Sequence, residues 1–120
     1  MDLNCEFRGE FLIIEVNKRR ATLDLAPEMR EKIISEINHG NGKIIVNLSY
    51  VEFLDSSFLG SLVAGVKLIK EKGGKIIIVG LHPHVRITFQ LTHMDKIFPV
   101  YLTVEEAMRY EEDGSGPSPD

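Results

Sequence analysis

Tryptophan is absent from the 120 residues and cysteine occurs once. The longest apolar runs, such as residues 76–79 (IIIV), fall far short of the ~20 residues that a bilayer-spanning helix needs. A membrane role is not expected. Cys5 can form neither an internal disulfide nor a metal cluster by itself, which fits a reducing compartment, and it reads as a small strand residue. Positive charge is also in short supply: 14 basic residues face 18 acidic ones for a net charge of -4. Such a chain has no general attraction for nucleic acid backbones or anionic lipid surfaces. The opening residues MDLNCEFRGE carry no basic patch followed by an apolar stretch, so a cytoplasmic setting is expected.

Several chemistries lack their residues. His39, His82, His84 and His93 show no zinc-type spacing, and the HPH loop supplies two ligands at most, so no metal or cofactor is expected. A serine hydrolase would need a G-x-S-x-G elbow, which does not occur. Gly73-Gly74-Lys75 follows a helical pattern and enters a strand pattern, the reverse of a phosphate loop, and reads as a helix stop. Asn47-Leu48-Ser49 matches the glycosylation pattern but lies in an expected buried strand. No catalysis is expected.

What is present is a globular composition, 43% apolar and 27% charged. The length suits a single domain, expected over residues 1–110. Residues 111–120 (EEDGSGPSPD) hold no apolar side chain and read as a solvated, disordered tail. Residues 3–7 and 10–16, with Gly9 between them, predict an opening hairpin. Met29, Ile33, Ile34 and Ile37 recur at helical spacing after Pro27 and stop at His39 and Gly40. Residues 43–49 (KIIVNLS) and 75–80 (KIIIVG) have the unbroken β-branched character of strands covered on both faces. Between them, Leu59, Leu62, Val63, Val66 and Ile69 form one stripe of a helix expected from 56 to 72, implying a right-handed parallel crossover.

Residues 83–92 are ambiguous. Val85, Ile87, Phe89 and Leu91 alternate as in a strand, whereas Pro83 suits a helix start and Val85, Thr88, Phe89 and Thr92 share a helical face. Near the end, residues 99–102 predict a short edge strand. Thr103 with Glu106 fits a capping box opening a last helix.

The most informative stretch is 51–60, VEFLDSSFLG, where a strand hands over to a helix beginning with Asp55, Ser56 and Ser57. Capping explains one short polar residue, at a contribution of ~1 kcal/mol. Two adjacent hydroxyls beside a carboxylate exceed that need, and strand ends of α/β sheets are where binding surfaces form.

The run IIVNLSYVEFLDSSFLGSLVAGVKLIKEKGGKIIIVGLHPHVRITFQLTHMDKIFPVYLTVEEAM resembles the STAS domain, the fold shared by bacterial anti-sigma factor antagonists and the cytoplasmic ends of sulphate transporters. The likeness rests on the strand ending NLSYVEFLDSS, the small-residue helix, GGKIIIVG, and the HMDKIFP step into VEEAM; residues 5–110 can be laid on it, with the part before Lys43 much the weaker match. It implies an α/β fold, a mixed sheet of four or five strands with about four helices packed on it, and a helix at 83–92.

The resemblance further implies a small regulatory domain that binds an anti-sigma factor doubling as a serine kinase and is switched by phosphorylation. The second serine of the family's Asp-Ser-Ser-Gly motif matches Ser57, the expected phosphosite. Asp55, Ser56, Ser57, Phe58 and Leu59 form the expected partner-binding surface. Asp55 would orient the loop or meet the partner, and Ser56 would act as cap or neighbour. Phe58 stands where the family usually has glycine: it either blocks close approach, offers an aromatic anchor, or folds back onto the core. The rival reading is a non-phosphorylated scaffold or small-ligand sensor of the same fold. Oligomeric state has no signature in the sequence.

Overall fold

The computed structural model describes residues 2–114. Strand β1 (Leu3–Arg8) turns back through Gly9, at φ 56°, into the antiparallel β2 (Phe11–Val16). After the two-residue β3 (Arg20–Ala21) come α1 (Ala26–Asn38) and β4 (Lys43–Asn47). Then follow β5 (Phe53–Leu54), α2 (Ser56–Val63), α3 (Val66–Glu71) and β6 (Lys75–Val79). Helix α4 (Pro83–Leu91), a 3-10 turn (Met94–Lys96), β7 (Val100–Tyr101) and α5 (Val104–Glu112) complete the order. The main sheet is β1-β2-β4-β6-β7, parallel except for β1, and β3 pairs with β5 in a separate parallel ribbon.

The apolar strands explain the layering. In β4 and β6 successive side chains point to opposite faces, so strands with no polar face require cover on both. Ile44, Val46, Ile76 and Ile78 pack beneath the first four helices with Met29, Ile33, Ile37, Leu62 and Phe89. Ile45, Ile77 and Val79 join Phe11, Ile13, Tyr101, Val104 and Ala107 under α5. Each such side chain removed from water contributes ~1.5–3 kcal/mol. The mixed five-stranded sheet with helices on it is the architecture expected from the sequence.

Four details differ from, or decide between, the sequence expectations. Residues 83–91 are helical: Val85 and Phe89, one turn apart, are buried, while Ile87 and Leu91 lie on the outer side, so the alternation reflected no sheet face. The single helix expected from 56 to 72 is two, separated at Ala64 and Gly65, and at Gly65 the chain runs so close to α1 that a Cβ would lie 2.4 Å from Ile33 Cγ2. The capping box is offset. Thr103 Oγ1 accepts from Glu106 N at 3.1 Å, but Glu106 Oε1 accepts from Leu102 N, one residue before the cap, also at 3.1 Å.

The tail boundary also shifts. Glu111 and Glu112 belong to α5, since the Glu111 carboxylate accepts from the Tyr101 hydroxyl and pairs with Lys75 Nζ at 2.8 Å. The rest of the expected tail, residues 115–120, lies outside the described residues. Burial and the Glu111 carboxylate together push the Tyr101 phenol well above its ordinary value.

Gly60 within α2 and Gly65 between α2 and α3 make opposite predictions. Gly65→Ala, overpacking against Ile33, is expected to cost about 1–3 kcal/mol. Gly60→Ala, where a Cβ meets nothing within 4 Å, is expected to stabilise by about 0.5–1 kcal/mol. Paired thermal melts check both signs.

Candidate functional site

Because β2, β4, β6 and β7 run parallel, their C-terminal ends share one edge of the sheet, and the loops beyond them meet there. The loop after β4 is folded by Asn47, whose Oδ1 accepts from Ser49 N at 3.0 Å and from Ser49 Oγ at 2.6 Å. The chain leaving β6 passes close to it: Gly80, at φ 79°, has Ser49 Cβ only 2.8 Å from where its own Cβ would stand. Beyond that loop, β5 is held to β3, with Glu52 N and Phe53 N donating to Arg19 O and Asp55 N to Ala21 O. This ribbon delivers Asp55 to the start of α2.

Asp55 is fully engaged. Its backbone is extended, Oδ1 accepts from Phe58 N at 2.9 Å as the helix cap, and Oδ2 accepts from Leu23 N at 2.9 Å. One carboxylate thus fastens the helix start to the 22–24 loop. That loop has its own brace: the Asp24 carboxylate accepts from the Thr22 hydroxyl and from Lys18 Nζ. The Thr22 bond first, with the Asp24 backbone amide and the Lys18 charge, holds the Asp24 carboxyl below the usual carboxylate range.

The five expected site residues divide sharply. Ser56 is exposed and Ser57 half-buried, and neither hydroxyl has a hydrogen-bond partner among the described residues. Asp55, not Ser56, is the cap. Phe58 is 0% exposed and Leu59 6%, both part of the core beneath the helix. The aromatic-anchor reading of Phe58 is therefore corrected, and so is the placing of Leu59 on the partner surface. Their spacing matches the inward stripe that continues through Leu62. A third serine, Ser61, is consumed internally, donating to Phe58 O at 2.6 Å.

Sequence reasoning missed the apolar surroundings. Leu23 in the loop held by Asp55, Tyr50 in the loop after β4 and Phe53 on β5 are 65%, 64% and 44% exposed. Arg20 lays its guanidinium 4.4 Å over the Phe53 ring, and Arg19 pairs with Glu52 at 3.0 Å. An apolar rim with exposed arginines is the chemistry of a protein-docking surface. A hydrophobic residue in an expected loop was the signal available. His82 and His84 stack with ring centroids 5.6 Å apart, and His82 Nδ1 accepts from His84 N to cap α4. Among the described residues no group of three or more His, Cys, Asp or Glu could hold a metal ion, and no helix is long and apolar enough to cross a membrane.

The fold is a mixed α/β sheet with two adjacent serines at a carboxylate-capped helix start. The STAS domain family model matches residues 3–107, and the chain belongs to that family. A Thermotoga maritima protein provisionally named an anti-sigma factor antagonist is 32% identical over 98 residues, covering 81% of this chain and 87% of the relative. A crystal structure of a Thermotoga maritima protein with the same provisional name superposes with a TM-score of 0.84 at 30% identity, over 89% of this chain and 92% of that one. The anti-sigma-B factor antagonist of Staphylococcus aureus is 28% identical over 83% of this chain and 94% of its own length.

Removal of the Asp55 carboxylate tests the clamp. Asp55→Ala is expected to cost about 0.5–2 kcal/mol through the lost cap alone and to speed amide exchange at Leu23 and Phe58 together. In a carboxyl NMR titration Asp24 is expected to ionise below the ordinary range, and Thr22→Val to bring it back up. The sign follows from the lowered folded value: this contribution is present above the unfolded pKa and is lost as pH falls through the folded one.

Proposed function

We propose that the chain is an anti-sigma factor antagonist: a cytoplasmic binding domain without catalysis of its own. It docks an anti-sigma factor at the start of α2 and is released when Ser57 is phosphorylated by that partner acting as a serine kinase. The partner can hold either the antagonist or a sigma factor, so capture of the partner frees transcription indirectly.

The observation that carries this reading is the division of labour at the helix start. Asp55 occupies the Phe58 amide, and among the described residues the first-turn amides of Ser56 and Ser57 have no protein acceptor and the half-exposed Ser57 hydroxyl no partner. A phosphate there adds ~1.5–2 negative charges and can accept from those amides, so the domain keeps its fold. The partner bears the change. A surface that closes on Ser57 and the Leu23, Tyr50 and Phe53 rim would meet a buried, unpaired charge on an otherwise apolar contact.

The burial of Phe58 bears on the rival scaffold reading. Its side chain points into the core, so the substitution for glycine does not place an aromatic group across the approach to Ser57. The residue that most favoured a scaffold or ligand sensor no longer does so.

Incubation with candidate anti-sigma kinases and ATP, followed by mass mapping, is expected to place phosphate on Ser57 and on no other serine of the helix. Ser57→Asp is expected to weaken partner binding at least about tenfold, or ~1.4 kcal/mol. The same variant should melt within a few degrees of the parent, because negative charge at a helix N-terminus is favourable by ~0.3–1 kcal/mol. Binding indifferent to Ser57→Asp, or phosphate elsewhere, would overturn the switch.

A further inference from the structure

The sheet has two edges of different character. β7 is two residues long, whereas β1 runs for six, with no proline, lysine or bulge to blunt it. Asn17 N donates to Asp2 O at 2.7 Å, which makes that pair one of the hydrogen-bonded pairs of the β1–β2 ladder. By the antiparallel alternation, Asn4, Glu6 and Arg8 also bond to β2, so the N–H and C=O groups of Leu3, Cys5 and Phe7 point away from the sheet. Phe7 is 60% exposed on the same edge.

We propose that β1 is a self-association surface, whose occupant is β1 of a second copy of this chain, paired antiparallel about a two-fold axis through Cys5. A pairing between outward-bonding residues must set odd-numbered positions opposite odd-numbered ones. With the axis at Cys5, Leu3 faces Phe7 of the other copy, Asn4 faces Glu6, and Asp2 faces Arg8. Every outward backbone group from Leu3 to Phe7 then gains a partner. The exposed Phe7 ring is covered by Leu3, and the two ends are closed by opposite charges.

The side chains fit that register in one further respect. Asp2, Asn4, Glu6 and Arg8 share the face that carries α5, where Arg8 already reaches Glu105 at 2.8 Å and Glu6 at 3.7 Å. Asp2 of the other copy would join that network. Leu3, Cys5 and Phe7 share the opposite face, beside α1. The result is a continuous sheet of two chains, an isologous interface that closes on itself. β1 is separated from β4 by β2, and its Asp2 end lies beside Lys18, which also pairs with Asp24 of the 22–24 loop.

Sedimentation velocity across low-micromolar to near-millimolar concentration is expected to show a monomer–dimer equilibrium. Phe7→Lys is expected to weaken it about tenfold or more with an unchanged far-ultraviolet circular dichroism spectrum. Arg8→Asp alone should weaken the dimer, and adding Asp2→Arg in the same chain should restore it, since the facing charges are then exchanged. In a hydrogen-bonded antiparallel pair the facing Cα atoms lie ~5.5 Å apart, so a short bis-maleimide is expected to join Cys5 to Cys5 in the dimer and not in Cys5→Ser. A single monomeric mass at every concentration overturns the proposal. So does a dimer that ignores Phe7→Lys and the charge exchange, or one whose Cys5 thiols are not bridged.

Discussion

The constraint from which the architecture follows is the double-faced burial of β4 and β6. A strand such as KIIVN or KIIIV has no side that water will accept, so its neighbours must cover it above and below. α1 to α4 take one face and α5 the other. Parallel strands joined by such crossovers bring all their C-terminal ends to one edge, and the proposed docking surface lies on the loops beyond it. The helix start at Asp55 sits there because β4 ends there, not because any local signal selects a site.

At that edge, the residues that hold the fold and those proposed to act are adjacent, with little overlap. Asp55 is committed twice over, to Phe58 N and Leu23 N. Phe58 and Leu59 hold the helix down on the core. Ser56 and Ser57 are left with free hydroxyls on a backbone that is fixed on both sides. A modified serine on a rigid, amide-rich turn changes what a partner meets without asking the domain to reorganise. That is the physical basis on which the proposed switch rests, and it explains why the clamp has to be a carboxylate with two acceptors rather than a serine.

Much of the fold was legible in the chain. The opening hairpin, the two apolar strands, the crossover between them and the terminal helix all emerge from local patterns of apolar residues punctuated by Gly9, Gly40, Gly73 and Gly74. The alternation at 83–92 was misleading on its own, because Ile87 and Leu91 are exposed apolar residues that imitate a strand face. The close approach of Gly65 to Ile33 was invisible, since Ile33 stands on another helix. The reach of α5 to Glu112 was hidden likewise, because Glu111 is held by Lys75, far back along the chain.

The sequence by itself determined the opening hairpin, the two apolar strands, the first and last helices and which two hydroxyls open α2, because apolar spacing and chain breakers act within a few residues. Only the tertiary structure decided that Phe58 turns inward, that Asp55 also grips the 22–24 loop, and that Leu23, Tyr50 and Phe53 stay exposed. Each of those outcomes depends on what stands across a contact, and no local pattern specifies the group on its far side.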